Sequence, residues 1–206
     1  MSPRLTDQRK EERIQQILSA AKQVFIEKGY GEASLKDIIE EAGMSRGWIY
    51  LYYQTKEEIF EALLDYQDIE YHQYLEQLKA ESSSIWAVIQ QIYDRQLHDL
   101  ENYGGGIVPA FYEYFLVGWR DAPRSELLHQ RYEKGIKLFE QLLQAGVERG
   151  EFTPSLPLSD IAKLISSFQE GIVTHAITIG LEKANTHLQF AALLQYLYNL
   201  LHVKAE

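Results

Sequence analysis

The chain has 206 residues, 46% hydrophobic and 24% charged, and 20 Lys+Arg against 30 Asp+Glu give a formal net charge of −10. That apolar fraction supports one medium or two small folded domains and excludes intrinsic disorder, while the complete absence of cysteine excludes disulfide frameworks, thiolate metal sites and thiol nucleophiles together. Met1 to Arg13 holds no apolar leader and the run Gly171 to Leu181 is too short to span a bilayer, so a cytoplasmic protein with no membrane partner is expected.

Ile14, Ile17, Leu18, Ala21, Val24 and Phe25 recur at helical spacing, and Gly29 ends the run where a helix C′ residue belongs. Ser34 and Asp37 then open a short second helix with a capping-box pair. Leu35, Ile38, Ile39 and Ala42 continue it until Gly43. After Met44, Ser45 is a suitable N-cap for a third element over 46–53. Ile49 and Tyr53 share one face of it, Trp48 and Tyr52 another. Thr55 and Glu58 form a second capping box, and a fourth helix runs through Ile59, Phe60, Leu63 and Leu64 to about Lys79 before Ser82-Ser83-Ser84.

Helices are predicted after that over 84–102, 109–119, 125–149, 159–180 and 186–204. They are separated by Gly104-Gly105-Gly106, by Pro123, by Gly150 with Pro154 and Pro157, and by 180–185. The three glycines read as a flexible connection. No strand, hairpin or solenoid repeat is signalled, so the predicted class is all-α with about nine helices in total. Phe111, Tyr112, Tyr114, Phe115 and Trp119 make their helix apolar nearly all round, which predicts a buried position. The last two helices carry broad stripes, Ile161, Ile165, Phe168 and Ile172 on one, Phe190, Leu194, Leu197 and Leu201 on the other. Such breadth needs two partners, the chain's own core and a symmetry mate, so a homodimer is predicted, with His175 as an interior or interface side chain.

Two short helices across a tight glycine-containing turn can set a helix into a major groove about 12 Å wide. Ser45, Arg46, Tyr50 and Tyr52 offer donors for phosphates or base edges, and Gly47 allows close approach of the backbone to a phosphate or to a neighbouring helix. Lys56 stands at the first position of the fourth helix, where its charge opposes the macrodipole and a bound phosphate would reverse the sign. Residues 1–55 hold eight basic and eight acidic side chains, and residues 56–206 hold 12 basic and 22 acidic. Only the front end is therefore suited to approach a polyanion. Two readings stay open from the residues: a DNA-binding regulator, or a helical interaction protein whose helix-turn-helix no longer binds DNA.

The spacing Ile17-Leu18-x-Ala20-Ala21-x-x-x-Phe25-x-x-x-Gly29-Tyr30, then Ser34-x-x-Asp37-Ile38, then Ala42-Gly43-x-Ser45-x-Gly47-x-Ile49-Tyr50-x-Tyr52-Tyr53, then Lys56-Glu57-Glu58-Ile59-Phe60 resembles the TetR family of bacterial transcriptional regulators. The resemblance runs from about Arg13 to Phe60; beyond residue 70 only helical pattern remains. It implies a helix-turn-helix DNA-binding domain over 1–55 and a ligand-binding and dimerisation domain over 56–206, bridged by helix 56–79. It implies too a repressor of a pseudo-palindromic double-stranded operator, dimeric through the last two helices and responsive to a small molecule. The family's contact positions fall on Lys36, Ser45, Arg46, Gly47, Trp48, Tyr50, Tyr52 and Lys56. Trp48 departs from the small or polar residue common there, which favours contact with a thymine methyl or with sugar–phosphate over a hydrogen-bonded base contact.

Ten aromatics between Trp86 and Phe139 either pack as core or line a cavity for a small apolar or cationic effector. The candidate lining is Trp86, Tyr93, Phe111, Tyr112, Phe115, Trp119, Tyr132 and Phe168. Gly43-Met44-Ser45-Arg46-Gly47 also spells the nucleophile-elbow pattern G-x-S-x-G, but that motif needs a preceding strand and residues 35–42 have helical period. The six histidines form no H-x-x-x-H pair, and no Walker loop or G-x-G-x-x-G occurs. No catalysis, cofactor or metal site is predicted.

Overall fold

In the computed structural model, which describes residues 7–204, the chain forms nine α-helices and no strand among the described residues. They are α1 (Asp7–Glu32), α2 (Leu35–Glu41), α3 (Arg46–Ile49), α4 (Lys56–Glu81), α5 (Ile85–Tyr103), α6 (Val108–Gly118), α7 (Ala122–Glu148), α8 (Leu158–Ile179) and α9 (Thr186–Leu201). Arg4, one of the front-end cations, lies outside the described residues. The helices group into two compact units: residues up to Tyr74 together with Ile107–Val117, and Leu75–Gly106 together with the residues from Gly118 on. These units follow packing rather than motif, so most of α4 and nearly all of α6 group with the front helices.

The first unit is built on Ile17, Phe25, Ile38, Ile49, Ile59 and Phe60, all fully buried. Phe60 meets Phe25 edge-on at 4.8 Å, and Tyr30 and Tyr114 each pack against Phe60 at 5.0 Å. Tyr114 of α6 is buried and donates to the Glu61 carboxylate, which draws α6 onto α1 and α4. Next to it Glu113 accepts the Gly31 N–H at 2.9 Å. At Gly29 the backbone leaves the helix with φ +72° and ψ 172°, and a Cβ there would stand 2.6 Å from a Glu113 oxygen. Both the dihedral and the close approach demand glycine. The expectation that α6 is buried all round is met on one side only. Ala110, Tyr114 and Phe115 are buried, whereas Leu116 and Val117 stand exposed, Val117 by 80%.

The second unit packs α5, α7, α8 and α9 around Ile85, Ile89, Leu143, Phe152, Ile161, Ile165, Leu197 and Leu201. The stretch between α7 and α8 ties several helix ends together. Arg149 donates to the carbonyls of Ser82 and Lys79 at 2.9 and 3.1 Å. The Glu151 carboxylate accepts the N–H groups of Ile85 and Trp86 and the Ser84 hydroxyl, capping α5 from outside its own sequence. Thr153 and Ser155 donate to the carbonyls of Leu201 and Leu200, at 2.8 and 2.9 Å.

Two connections differ from expectation. Gly104, Gly105 and Gly106 all have positive φ, Gly104 as the left-handed C-cap of α5, and Gly105 is buried, where an added Cβ would stand 3.4 Å from Leu100 and 3.5 Å from Ile177. They build a packed turn, not a flexible tether. Pro123 does not separate neighbouring elements: Asp121 caps α7 through the Arg124 N–H and the proline sits in its first turn, where no N–H is needed. No described helix is long and apolar enough to cross a membrane.

Candidate nucleic-acid interface

Local chemistry sets the α2–turn–α3 element. At Ser34 the full capping box is present: its hydroxyl accepts the Asp37 N–H and Asp37 returns to the Ser34 N–H. Lys28 lies 2.8 Å from Asp37, and that contact, then the Ser34 donors, hold the Asp37 carboxyl far below its usual range; the same partner raises the Lys28 ammonium. Gly43 makes the turn with φ +62°, and Gln16 of α1 closes the end of α2 by donating to the Ala42 carbonyl at 2.8 Å. Ile38 and Ile49 are buried on the inner side of α2 and α3. The opposite side is thereby turned outward.

That side carries Lys36, Ser45, Arg46, Gly47 and Trp48, all exposed, with Tyr50 and Tyr52 half-buried at its margin. Lys36 sits 3.5 Å from Glu40 across an exposed helical turn. Arg46 lies over the Tyr50 ring at 5.2 Å and donates to its hydroxyl at 3.1 Å. A Cβ at Gly47 would meet nothing within 4 Å, so no neighbouring helix requires glycine there. Ser45 precedes α3 in extended conformation, but its hydroxyl makes no cap bond, contrary to the N-cap expectation. The helical segment of the third element is four residues long and continues as turns through Tyr52. Ser45 thus lies between two helices, and the strand a nucleophile elbow requires is missing from this stretch of the chain.

Lys56 is placed differently from the expectation of a phosphate contact. Its ammonium donates to the carbonyls of Tyr30, Gly31 and Ala33 at 2.8, 3.3 and 2.8 Å and lies 4.5 Å from the Tyr30 ring centroid. Three donors meet three acceptors. A charge that opposes the dipole of its own helix is thus placed at the carbonyl-rich end of α1, where the sign is favourable. Thr55 caps the Glu58 N–H as expected, while Glu58 reaches back to Gln54 N–H at 2.6 Å rather than to Thr55.

Sequence reasoning missed two members of the exposed tip. Leu51 is 71% exposed beside the 42%-exposed Trp48, and Arg13 of α1 lies 5.9 Å above the Trp48 ring. Leu51 is an apolar residue with no donor to offer, among neighbours chosen for their polar groups. Arg13 and Trp48 are joined only by tertiary packing, which no local pattern signals.

The residues of the expected effector lining are placed as follows in each unit. In the second unit Trp86 packs on Tyr198 at 5.2 Å, Tyr93 on Phe190 at 6.0 Å and Phe168 on Tyr196 at 5.5 Å, while Trp119 is exposed beneath Arg120. Phe111 packs on Tyr112 and Phe115 in the first unit. Of these rings Tyr93 and Phe115 are buried, whereas Trp119 and Phe168 are exposed. An open cleft of about 520 Å³ between α7 and α8 is lined by Tyr132 with His129, Glu133, Lys137, Glu140 and Lys163 among others. The stripes expected at a dimer interface are divided between inward and outward positions. Ile161, Ile165, Ile172, Phe190, Leu197 and Leu201 are buried in the chain's own core, Leu194 is half-buried, and Phe168 and His175 face outward. Ile179, Leu188 and Tyr196 are exposed on the same two helices. The intervening small residues Gly171, Ala191 and Ala192 are exposed too. Among the described residues no cluster of His, Asp or Glu is arranged to hold a metal ion.

The family model described as "Bacterial regulatory proteins, tetR family" matches residues 17–63, and that described as "Tetracyclin repressor-like, C-terminal domain" matches residues 88–187. The uncharacterised HTH-type transcriptional regulator YfiR of Bacillus subtilis is 37% identical over 90% of each chain. The HTH-type transcriptional regulator QacR of Staphylococcus aureus is 24% identical over 77% of this chain and 82% of its own. Among solved structures, reduced NemR of E. coli superposes with a TM-score of 0.77 at 19% identity, covering 95% of this chain and 100% of that one, a likeness of fold.

Proposed function

Because the chain belongs to the TetR family, helix-turn-helix DNA-binding transcriptional regulators, we propose that it represses transcription by binding a pseudo-palindromic operator as a homodimer. Each subunit sets one α2–turn–α3 element into the major groove, and the two half-sites lie about one helical turn apart, roughly 34–36 Å. The observation that carries this reading is the open side of that element. Ser45, Arg46 and Trp48 stand exposed around a Gly47 whose surroundings are empty, so the backbone can approach a duplex closely. Lys36, Tyr50 and Tyr52 complete the contact set, and the main-chain N–H groups at the start of α4 replace the Lys56 ammonium as the phosphate site.

Residues 56–206 carry dimerisation and control, with the second copy covering the outward side of α8 and α9 around Phe168 and His175. A small apolar or cationic effector bound in this region releases the operator, and the protein works in the cytoplasm without catalysing a reaction. Sequencing the genomic fragments retained by the purified protein tests the reading. A shared pseudo-palindrome, bound by a species of twice the chain mass in light scattering, is the expected result. Retention no better than for random DNA refutes it and leaves a helical interaction protein.

A further inference from the structure

We infer that Arg13 of α1 is a positioning residue for Trp48, fixing the indole so that its outward edge reads the methyl group of one thymine per half-site. The inference rests on the reading of α2 and α3 as the DNA-contacting element and adds to it a residue outside that element. The Arg13 guanidinium stands over the Trp48 ring, 5.9 Å from its centroid, and donates to Gln16 Oε1 at 3.0 Å. Gln16 in turn donates to the Ala42 carbonyl at 2.8 Å. The ring on α3 is thus tied through one arginine and one glutamine of α1 to the end of α2. Arg13 makes no ion pair with a carboxylate among the described residues, so its plane is left to the indole.

A large exposed side chain that turns freely loses that freedom only when it meets DNA, which weakens discrimination; a ring held beforehand has lost it already. A planar guanidinium can cover an indole face, and a lysine ammonium of the same charge cannot reproduce that stacking. With one face occupied, Trp48 presents an apolar edge, and the only apolar feature a base pair offers in the major groove is the thymine C5-methyl. Arg46 and Tyr50 repeat the arrangement on the same element, at 5.2 Å and with a hydrogen bond, so two of the three large rings of the tip, Trp48 and Tyr50, are held by arginines before DNA arrives.

The test uses the full chain and the operator found among its retained fragments. Each thymine is replaced in turn by deoxyuridine, which removes the methyl group alone. Wild-type protein is expected to lose about fourfold in affinity at one thymine per half-site, the factor that one buried methyl group confers. Arg13→Lys and Trp48→Ala are each expected to lose that discrimination, the double variant no more than either, with the salt slope of Arg13→Lys unchanged. Full discrimination by Arg13→Lys overturns the inference. So does an Arg13→Ala variant whose salt slope falls by about one while discrimination persists, which marks a phosphate contact instead. If wild type binds the operator without distinguishing the two bases, the positioning role fails and the DNA-binding reading stands; if no operator is retained, the reading beneath it fails first.

Discussion

The Lys56 ammonium lies 2.8 Å from the carbonyl oxygen of Tyr30 and 4.5 Å from the centroid of that residue's ring, so the first residue of α4 closes the last turns of α1. Lys56→Met removes the cation and leaves three carbonyls to find water. A loss of about 2 kcal/mol in stability is expected, in the range for hydrogen bonds to a charged group. Thermal unfolding followed by circular dichroism measures it. The salt dependence of operator binding should stay as in wild type; a stable variant with a flatter salt slope would return Lys56 to the phosphate contacts.

Gly29 and Glu113 make a second test of the first unit. Alanine at 29 places a methyl group against the Glu113 carboxylate in a backbone region nearly reserved for glycine. A cost of about 1–3 kcal/mol is expected. In urea denaturation the cost of Gly29→Ala, measured against a Glu113→Ala parent that already lacks the Gly31 hydrogen bond, should shrink to the share due to the dihedral.

The capping box at the start of α2 predicts a pH signature. The Asp37 carboxyl is held below its ordinary value by Lys28 and then Ser34, so its contribution is present above the usual carboxylate range and fades as pH falls through the depressed folded value. The Lys28 ammonium is raised by the same contact, so its share is lost only as pH climbs past the ordinary lysine range. Asp37→Asn should therefore be less stable than wild type near pH 6, with the two melting curves converging in strong acid. Ser34→Ala removes the cap and also a donor that helps hold Asp37 ionised, so it should cost about 1 kcal/mol near pH 6 and less as the carboxyl protonates in strong acid.

One phenylalanine and one isoleucine on α8 separate assembly from folding. Phe168 is 48% exposed and Ile172 is buried. Phe168→Glu is expected to keep the circular dichroism spectrum while halving the mass seen in light scattering. Ile172→Glu should unfold the second unit, because an unpaired carboxylate cannot be carried into that core. A dimeric Phe168→Glu variant would move the interface elsewhere.

Much of the architecture was legible because it is locally encoded. The periodicity of Ile14 through Phe25, the Ser34–Asp37 pair and the glycines at 29 and 43 specify their elements without help from distant residues. Relations across the sequence were not legible. Lys56 reads as a violation of the dipole rule only because its acceptors at 30, 31 and 33 are invisible to a local pattern. The stripes of α8 and α9 gave the correct helices, but periodicity cannot distinguish a side buried in the chain's own core from one left exposed. Ile161 and Phe168 therefore looked equivalent. Aromatic rings in the second half were countable, yet which ring would meet which depended on packing: Trp86 found Tyr198 and Tyr93 found Phe190.

Surface connections usually accept inserted sequence, since their ends are close and their backbone is solvated. The link from Arg149 to Ser155 is an exception, because its side chains and amides anchor the ends of α4, α5 and α9 at once. A peptide tag or a new chain terminus engineered there would unfasten three helices together. The turn over 181–184, whose hydrogen bonds stay within a few residues, is the place for such an alteration.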